Sequence, residues 1–97
     1  MKSTNLGPYR HLLRQLTQAR NEADCSQSEL GRRLSKPQSY VSKVESGDRR
    51  LDLVEFVYWA KALHVDPSDF VATLADAIGS LPRLSKPRKT VTPRRGD

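Results

Sequence analysis

The sequence predicts an all-α fold, five short helices around a single core. Apolar residues recur at three- and four-residue spacing in successive segments, and residues with capping chemistry stand where those segments begin. No segment alternates apolar and polar residues between turn signals, as a half-buried strand would. The chain has 97 residues, enough for one modest core and too few for a multidomain enzyme.

Pro8 suits the first position of a helix over 8–23, along which Tyr9, Leu12, Leu13, Leu16, Ala19 and Ala23 form an apolar stripe. Ser26 and Glu29 have capping-box spacing, with Leu30 and Leu34 supplying the inner face of a short second helix. Pro37 starts a third helix over 37–46, with Val41 and Val44 pointing inward and Gly47 as its stop. Asp52 and Glu55 cap a fourth helix over 53–63, whose stripe is Leu53, Phe56, Val57, Ala60 and Leu63. Asp66 and Pro67 open a fifth, with Phe70, Val71, Leu74 and Ile78 before Gly79. The ordered domain is expected at 8–80, between a loose leader at 1–7 and a disordered tail at 81–97. That tail carries Pro82, Pro87 and Pro93 and has too few apolar residues to offset ordering entropy.

The net charge of +6 is unevenly placed. The tail carries Arg83, Lys86, Arg88, Lys89, Arg94 and Arg95 against Asp97, a sum of +5. Residues 32–50 hold Arg32, Arg33, Lys36, Lys43, Arg49 and Arg50 against Glu45 and Asp48, or +4, whereas residues 51–80 sum to −4. A basic middle, an acidic following segment and a basic tail suggest one face directed at a polyanion, with nucleic acid such as double-stranded DNA weighed against a plain solvated charged face. The single cysteine, Cys25, forms no internal disulfide, and neither it nor His11 and His64 has partners at metal-ligand spacing. No nucleophile, acid pair or phosphate loop stands out, so no catalytic residue, metal or cofactor is expected. Without a signal-peptide pattern or an apolar run of membrane-spanning length, the expected location is the cytoplasm.

Two short helices joined by a tight turn, the second polar and basic outside, describe a helix-turn-helix at helices two and three. The run from Ser26 to Gly47 (SQSELGRRLSKPQSYVSKVESG) resembles the Cro/repressor class, also called the xenobiotic-response-element family. Ser26-Gln27-x-Glu29-Leu30 and Val41-Ser42-Lys43-Val44-Glu45-x-Gly47 carry the match, which extends more weakly over about 12–75. The resemblance implies a compact, lambda-repressor-like DNA-binding domain. It places Gln27 on the DNA backbone and Gln38, Ser39 and Lys43 on base edges, with Tyr40 and Ser42 at the margin. Independently, the Gln amide matches adenine N6 and N7, and Lys donates to guanine O6 and N7. Arg49 and Arg50 match a loop that meets phosphates, and Arg32, Arg33 and Lys36 are candidates for further phosphate contacts, which set affinity and register but not sequence.

The resemblance also implies that Glu45 pairs with Arg20, tying helix one to helix three in a structural role. The chain departs from the family at three places: Asp24 ends helix one where Gly is usual, Gly31 replaces a favoured Ala, and Ser35 occupies a turn that often carries Gly. Asp24 and Ser35 are therefore expected to take strained backbone angles. Cys25 falls on an apolar position and reads as a small buried hydrophobe.

One helix-turn-helix reads half a site, so a homodimer on a pseudo-palindrome is expected. Val54, Tyr58 and Trp59, with Phe70, Leu74 and Ile78, are the candidate self-complementary patch. The function read from these residues is a sequence-specific DNA-binding regulator, a repressor or autoregulatory controller. The alternatives are a protein-interaction module, such as an antitoxin holding a partner toxin, and non-specific binding carried by the tail.

Overall fold

A computed structural model describes residues 7–80, which fold into α1 (Gly7–Glu22), α2 (Gln27–Leu34), α3 (Gln38–Ser46), α4 (Leu53–Ala62) and α5 (Pro67–Ile78). No strand occurs among the described residues. The expected loose leader and basic tail lie outside them, except that Gly7 is the first residue of α1. Each helix begins close to its sequence signal. Ser26 accepts from the Glu29 N–H at 3.0 Å, but the Glu29 carboxylate turns onto Arg32 and Arg33. At Asp52 both halves of the capping box form: Asp52 accepts from the Glu55 N–H at 2.7 Å and Glu55 accepts from the Asp52 N–H at 3.0 Å. Asp66 accepts from the Ser68 N–H at 2.9 Å, with Pro67 at the first helical position.

Four helix ends share one geometry. After α1, the N–H of Cys25 donates to Arg20 O at 3.1 Å and that of Asp24 to Asn21 O at 3.0 Å. This is the Schellman pattern, in which a residue of left-handed conformation closes the last carbonyls. Lys36 to Gly31 and Ser35 to Arg32 repeat it after α2, Asp48 to Lys43 and Gly47 to Val44 after α3, and Val65 to Ala60 and His64 to Lys61 after α4. Only Gly47 adopts the conformation freely. Asp24 (φ 54°), Ser35 (φ 59°) and His64 (φ 61°) do so as L-residues with a side chain, each at a cost of about 1–2 kcal/mol. The strain expected at Asp24 and Ser35 is therefore present, and His64 adds a third site.

The core joins all five helices. Leu12, Leu13 and Leu16 of α1, Leu30 of α2, Val41 and Val44 of α3, Phe56, Trp59 and Ala60 of α4, Leu63 just after it, and Phe70 of α5 are buried together with Cys25. α2 packs on α3, α1 on both α3 and α5, and α4 bridges α2 and α5. The Phe56 and Phe70 rings meet edge to face at 5.8 Å, a favoured aromatic arrangement that joins α4 to α5.

The inward stripe of α4 differs from the expected one by a shift in phase. Phe56, Trp59, Ala60 and Leu63 face the core, Val57 is half-buried, and Leu53 is 73% exposed. Trp59 is wholly buried and its indole N–H donates to the Tyr40 hydroxyl at 3.2 Å. Phe70 is 5% exposed. Both are core residues, which corrects their assignment to a surface dimer patch: a domain this small uses its largest aromatic area inside. On α5, Val71 and Ile78 are each 49% exposed, and the inward side is reduced to Phe70 and the half-buried Leu74.

Gly31 shows how tightly α2 turns into α3. A Cβ built there would lie 2.6 Å from the carbonyl oxygen of Lys36 and 3.3 Å from Pro37 backbone atoms. Both neighbours are main chain, so the turn itself would have to move. Gly31→Ala should cost about 1–3 kcal/mol, as overpacking does elsewhere, whereas Ser35→Gly in the same turn should gain about 0.5–1 kcal/mol by relieving left-handed strain. Urea unfolding of both variants checks the pair; equal midpoints for the two would contradict it.

The acid limb of stability has a named contributor. Hydrogen bonds from Arg49, and then from the Asp52 N–H, hold the Glu55 carboxyl below its ordinary value of 4.5. The unfolded chain takes up that proton more readily, so the contribution is present above pH 4.5 and is lost as pH falls through the lower folded value. The stability advantage of the protein over Glu55→Gln should therefore hold steady at neutral pH and shrink below pH 4.5, as measured by urea titrations across that range.

Candidate nucleic-acid interface

α3 is nine residues long and divided by its sequence into two faces. Val41 and Val44 are fully buried, which leaves Gln38, Ser39 and Lys43 exposed on the outside and Ser42 half-buried between the two faces. A helix this short has little stability of its own. Its orientation is set by the two valines and by one ion pair.

Arg20, 9% exposed near the end of α1, reaches across to Glu45 on the last turn of α3. Its Nε donates to Glu45 Oε2 at 2.6 Å and its Nη2 to Oε1 at 3.0 Å, the fork geometry that suits guanidinium and carboxylate. The third nitrogen, Nη1, donates to the Cys25 carbonyl at 2.9 Å, which fixes the chain between α1 and α2. The bonds to Glu45 push the Arg20 pKa above its ordinary value, with burial acting in the opposite direction. The acid on α3 is thus matched from inside the protein.

Gln27, at the start of α2, sits between this pair and the outer face. Its Nε2 donates to Glu45 Oε1 at 2.9 Å, and its Oε1 accepts from Gln38 Nε2 at 2.6 Å. No sequence spacing signals these contacts, which join residues 18 and 11 positions apart.

The basic residues fall into different settings. Arg32 is largely exposed and paired with Glu29 one turn back. Arg33 donates to Glu29 and, through Nη1, to the Ala62 carbonyl at 2.8 Å, so it closes the C-terminal end of α4. The side chain thus lies at a helix-end carbonyl, where a cation is favoured, and stays exposed. Tyr40 departs from its expected place at the margin of the base edges. It is half-buried, hydrogen-bonded to Trp59, and its ring lies under Lys36 Nζ at 5.3 Å and the Arg49 guanidinium at 4.9 Å. It holds two cations in place rather than reaching outward. Arg49 also makes a two-bond pair with Glu55 at 3.1 and 2.9 Å, which raises its pKa, first through that hydrogen bonding. Arg50 lies over the Tyr9 ring at 4.8 Å, and the Tyr9 hydroxyl accepts from the Leu51 N–H at 3.1 Å. Gln38, Ser39, Lys43, Lys36, Arg49 and Arg50 are all exposed.

A buried guanidinium grips the last turn of a short helix whose polar face is turned outward. The sequence profile of the helix-turn-helix family matches residues 16–70, which spans α2, α3 and α4 entirely. The chain belongs to the Cro/C1-type helix-turn-helix family. It is similar to a solved structure described as an XRE-family like protein from Pseudomonas syringae pv. tomato str. DC3000, with 40% identity over 71% of this chain and 84% of that one and a TM-score of 0.69. No curated protein sequence matches the chain. As a member of this family it is a DNA-binding transcriptional regulator, and the family's members are regulators rather than enzymes. Among the described residues no cluster of His, Cys, Asp and Glu is placed to hold a metal, and no helix is long and apolar enough to cross a membrane.

Removing Arg20 would leave Glu45 without its guanidinium in a site where its side chain is 8% exposed. Arg20→Ala should destabilise the fold by about 3–5 kcal/mol. A thermal melt reads this directly, and a melting temperature equal to that of the unchanged protein would show that the pair contributes nothing.

Proposed function

We propose that the protein is a cytoplasmic, sequence-specific regulator that occupies a pseudo-palindromic operator as a homodimer and represses transcription from it. The observation that carries this reading is the division of α3, with Val41 and Val44 buried and Gln38, Ser39 and Lys43 exposed together on its outer side. A helix with that face fits the major groove, where the Gln amide matches adenine and the Lys ammonium matches guanine. Ser42 lies at the edge of the reading face. Gln27, Arg32, Lys36, Arg49 and Arg50 are the candidate backbone contacts, and Arg49 and Lys36 are already placed together over one ring.

For the dimer, the exposed large apolar side chains among the described residues are Leu53, Val54, Tyr58, Val71 and Ile78. They do not share one depression. Leu53, Val71 and the half-buried Leu74 line a mostly apolar groove of about 230 Å³ together with Tyr9, Leu12 and Phe56, whereas Tyr58 lines another with Leu34, Lys36 and Tyr40. The groove between α4 and α5 is the better surface for a second copy, because apolar area buried symmetrically is what a two-fold interface needs. Val54 and Ile78 are further candidates for that interface.

The test is selection of sites from a random duplex library by the full-length protein. An inverted repeat with half-sites about 34 Å apart is the expected result. Gln38→Ala and Lys43→Ala should each erase preference at particular base pairs, at about 1–3 kcal/mol per lost bidentate contact. Lys36→Ala should weaken all sequences alike and reduce the salt dependence by about one phosphate, a slope change of roughly 0.9. Enrichment of nothing would contradict the reading and favour a module that holds a protein partner.

A further inference from the structure

We propose that the groove between the α2–α3 turn and α4 binds a small aromatic carboxylate, which weakens the hold on DNA by drawing Lys36 away from it. The effect on DNA rests on the reading of Lys36 as a phosphate contact, whereas the binding stands on the groove alone.

The groove has a volume of about 570 Å³, within the range of roughly 300–1,000 Å³ found for small-molecule sites. The end of α2 and the turn into α3 form one wall, and α4 forms the other. Its apolar surface comes from the half-buried Leu34 and Ala62 and from the rings of Tyr40 and Tyr58. The walls are tied together at two points. Arg33 reaches from α2 to the Ala62 carbonyl at 2.8 Å, and the Trp59 indole N–H donates to the Tyr40 hydroxyl at 3.2 Å. A site held in this way needs little ordering when a ligand enters.

The charges around this surface specify an anion. Arg33, Lys36 and Lys61 line the groove against one carboxylate, that of Glu55. Glu55 is already engaged, accepting from Arg49 at 3.1 and 2.9 Å and from the Asp52 N–H at 3.0 Å. Arg33 has its own acid in Glu29. Lys36 and Lys61 form no salt bridge among the described residues. Asp66, whose charge Lys61 stabilises, accepts instead from the N–H and hydroxyl of Ser68. Two ammonium groups at the edge of an apolar, aromatic floor fit a flat ring that carries one negative charge. The ring buries its faces against Leu34, Ala62 and the tyrosines, and the carboxylate accepts from the lysines.

Lys36 links the groove to the DNA face. It is exposed at the turn into α3, and its Nζ lies 5.3 Å from the centre of the Tyr40 ring. A carboxylate in the groove draws this ammonium inward, and a phosphate draws it outward. Each ligand therefore weakens the other by the same factor.

An NMR titration of the full-length protein with 2-naphthoate at constant ionic strength tests the binding, with acetate and naphthalene-2-methanol as controls for charge alone and ring alone. Saturable shifts are expected at Leu34, Ser35, Tyr58 and Ala62, with a Kd of about 1 mM or lower, and neither control should reproduce them. Tyr58→Ala and Lys61→Gln change exposed positions, so both should melt like the parent protein, yet bind the probe roughly fivefold or more weakly. Saturating 2-naphthoate should lower affinity for the selected duplex by roughly fivefold or more. Lys61→Gln should bind that duplex as the parent does and lose the response to the acid.

Shifts that never saturate, that acetate reproduces, or that fall on α5 instead would overturn the proposal. If the acid fills the groove without changing DNA affinity, in a protein whose DNA binding Lys36→Ala weakens, the regulatory half is overturned. If Lys36→Ala leaves DNA affinity unchanged, the reading of Lys36 at a phosphate fails and the regulatory half falls with it.

Discussion

The pairing of Arg20 with Glu45 is the constraint on which the rest of the structure depends. α3 is too short to hold its own position, and its two valines fix which side faces inward more firmly than where its last turn lies. The guanidinium supplies what they lack. It holds Glu45 by two bonds and the Cys25 carbonyl by a third, so α1, the turn before α2 and the end of α3 converge on one side chain. Burying charge is costly, and such a pair is weak evidence for net stability against an apolar substitute. Its value here is orientation. It neutralises from behind an acidic residue on a helix whose exposed side carries Lys43.

The turns impose the second constraint. α2 and α3 are joined so closely that a single methyl group at Gly31 would collide with the main chain. The same turn holds Ser35 in a left-handed conformation. Strain at one residue and the missing side chain at another together set the angle between the two helices. The other ends use the same closure with Asp24 and His64, so the domain carries distributed backbone strain that its core offsets. On the far side, Trp59 reaches the Tyr40 hydroxyl, and Tyr40 in turn supports Lys36 and Arg49. The core and the basic surface are thus linked through one ring.

Much of this was legible in the sequence because it is encoded locally. Helix starts follow from Ser26, Asp52, Asp66 and two prolines, and helix ends from Gly47 and from the family positions held by Asp24 and Ser35. The pairing of Arg20 and Glu45 came from resemblance alone, since no spacing rule joins residues 25 apart. Trp59 was misplaced because α4 is apolar on more than one side, so periodicity did not determine which side is buried, and Phe70, on the apolar stripe of α5, is used up in the edge-to-face contact with Phe56. The contacts of Arg33 and Tyr40 were illegible for a different reason. Their roles depend on what lies opposite them, the Ala62 carbonyl and Trp59, and such contacts exist only once α4 has packed. The Gln27 contacts are illegible in the sequence on the same grounds.

The central claim is that DNA meets this protein along α3 and the start of α2, with α4 and α5 turned away. An NMR titration of the full-length protein with its selected duplex tests this most directly. The account predicts the largest shifts at Gln27, Gln38, Ser39 and Lys43, including the side-chain amides of the two glutamines, with saturation at one duplex per two chains. Largest shifts along α4 and α5, with the α3 signals unmoved, would contradict it.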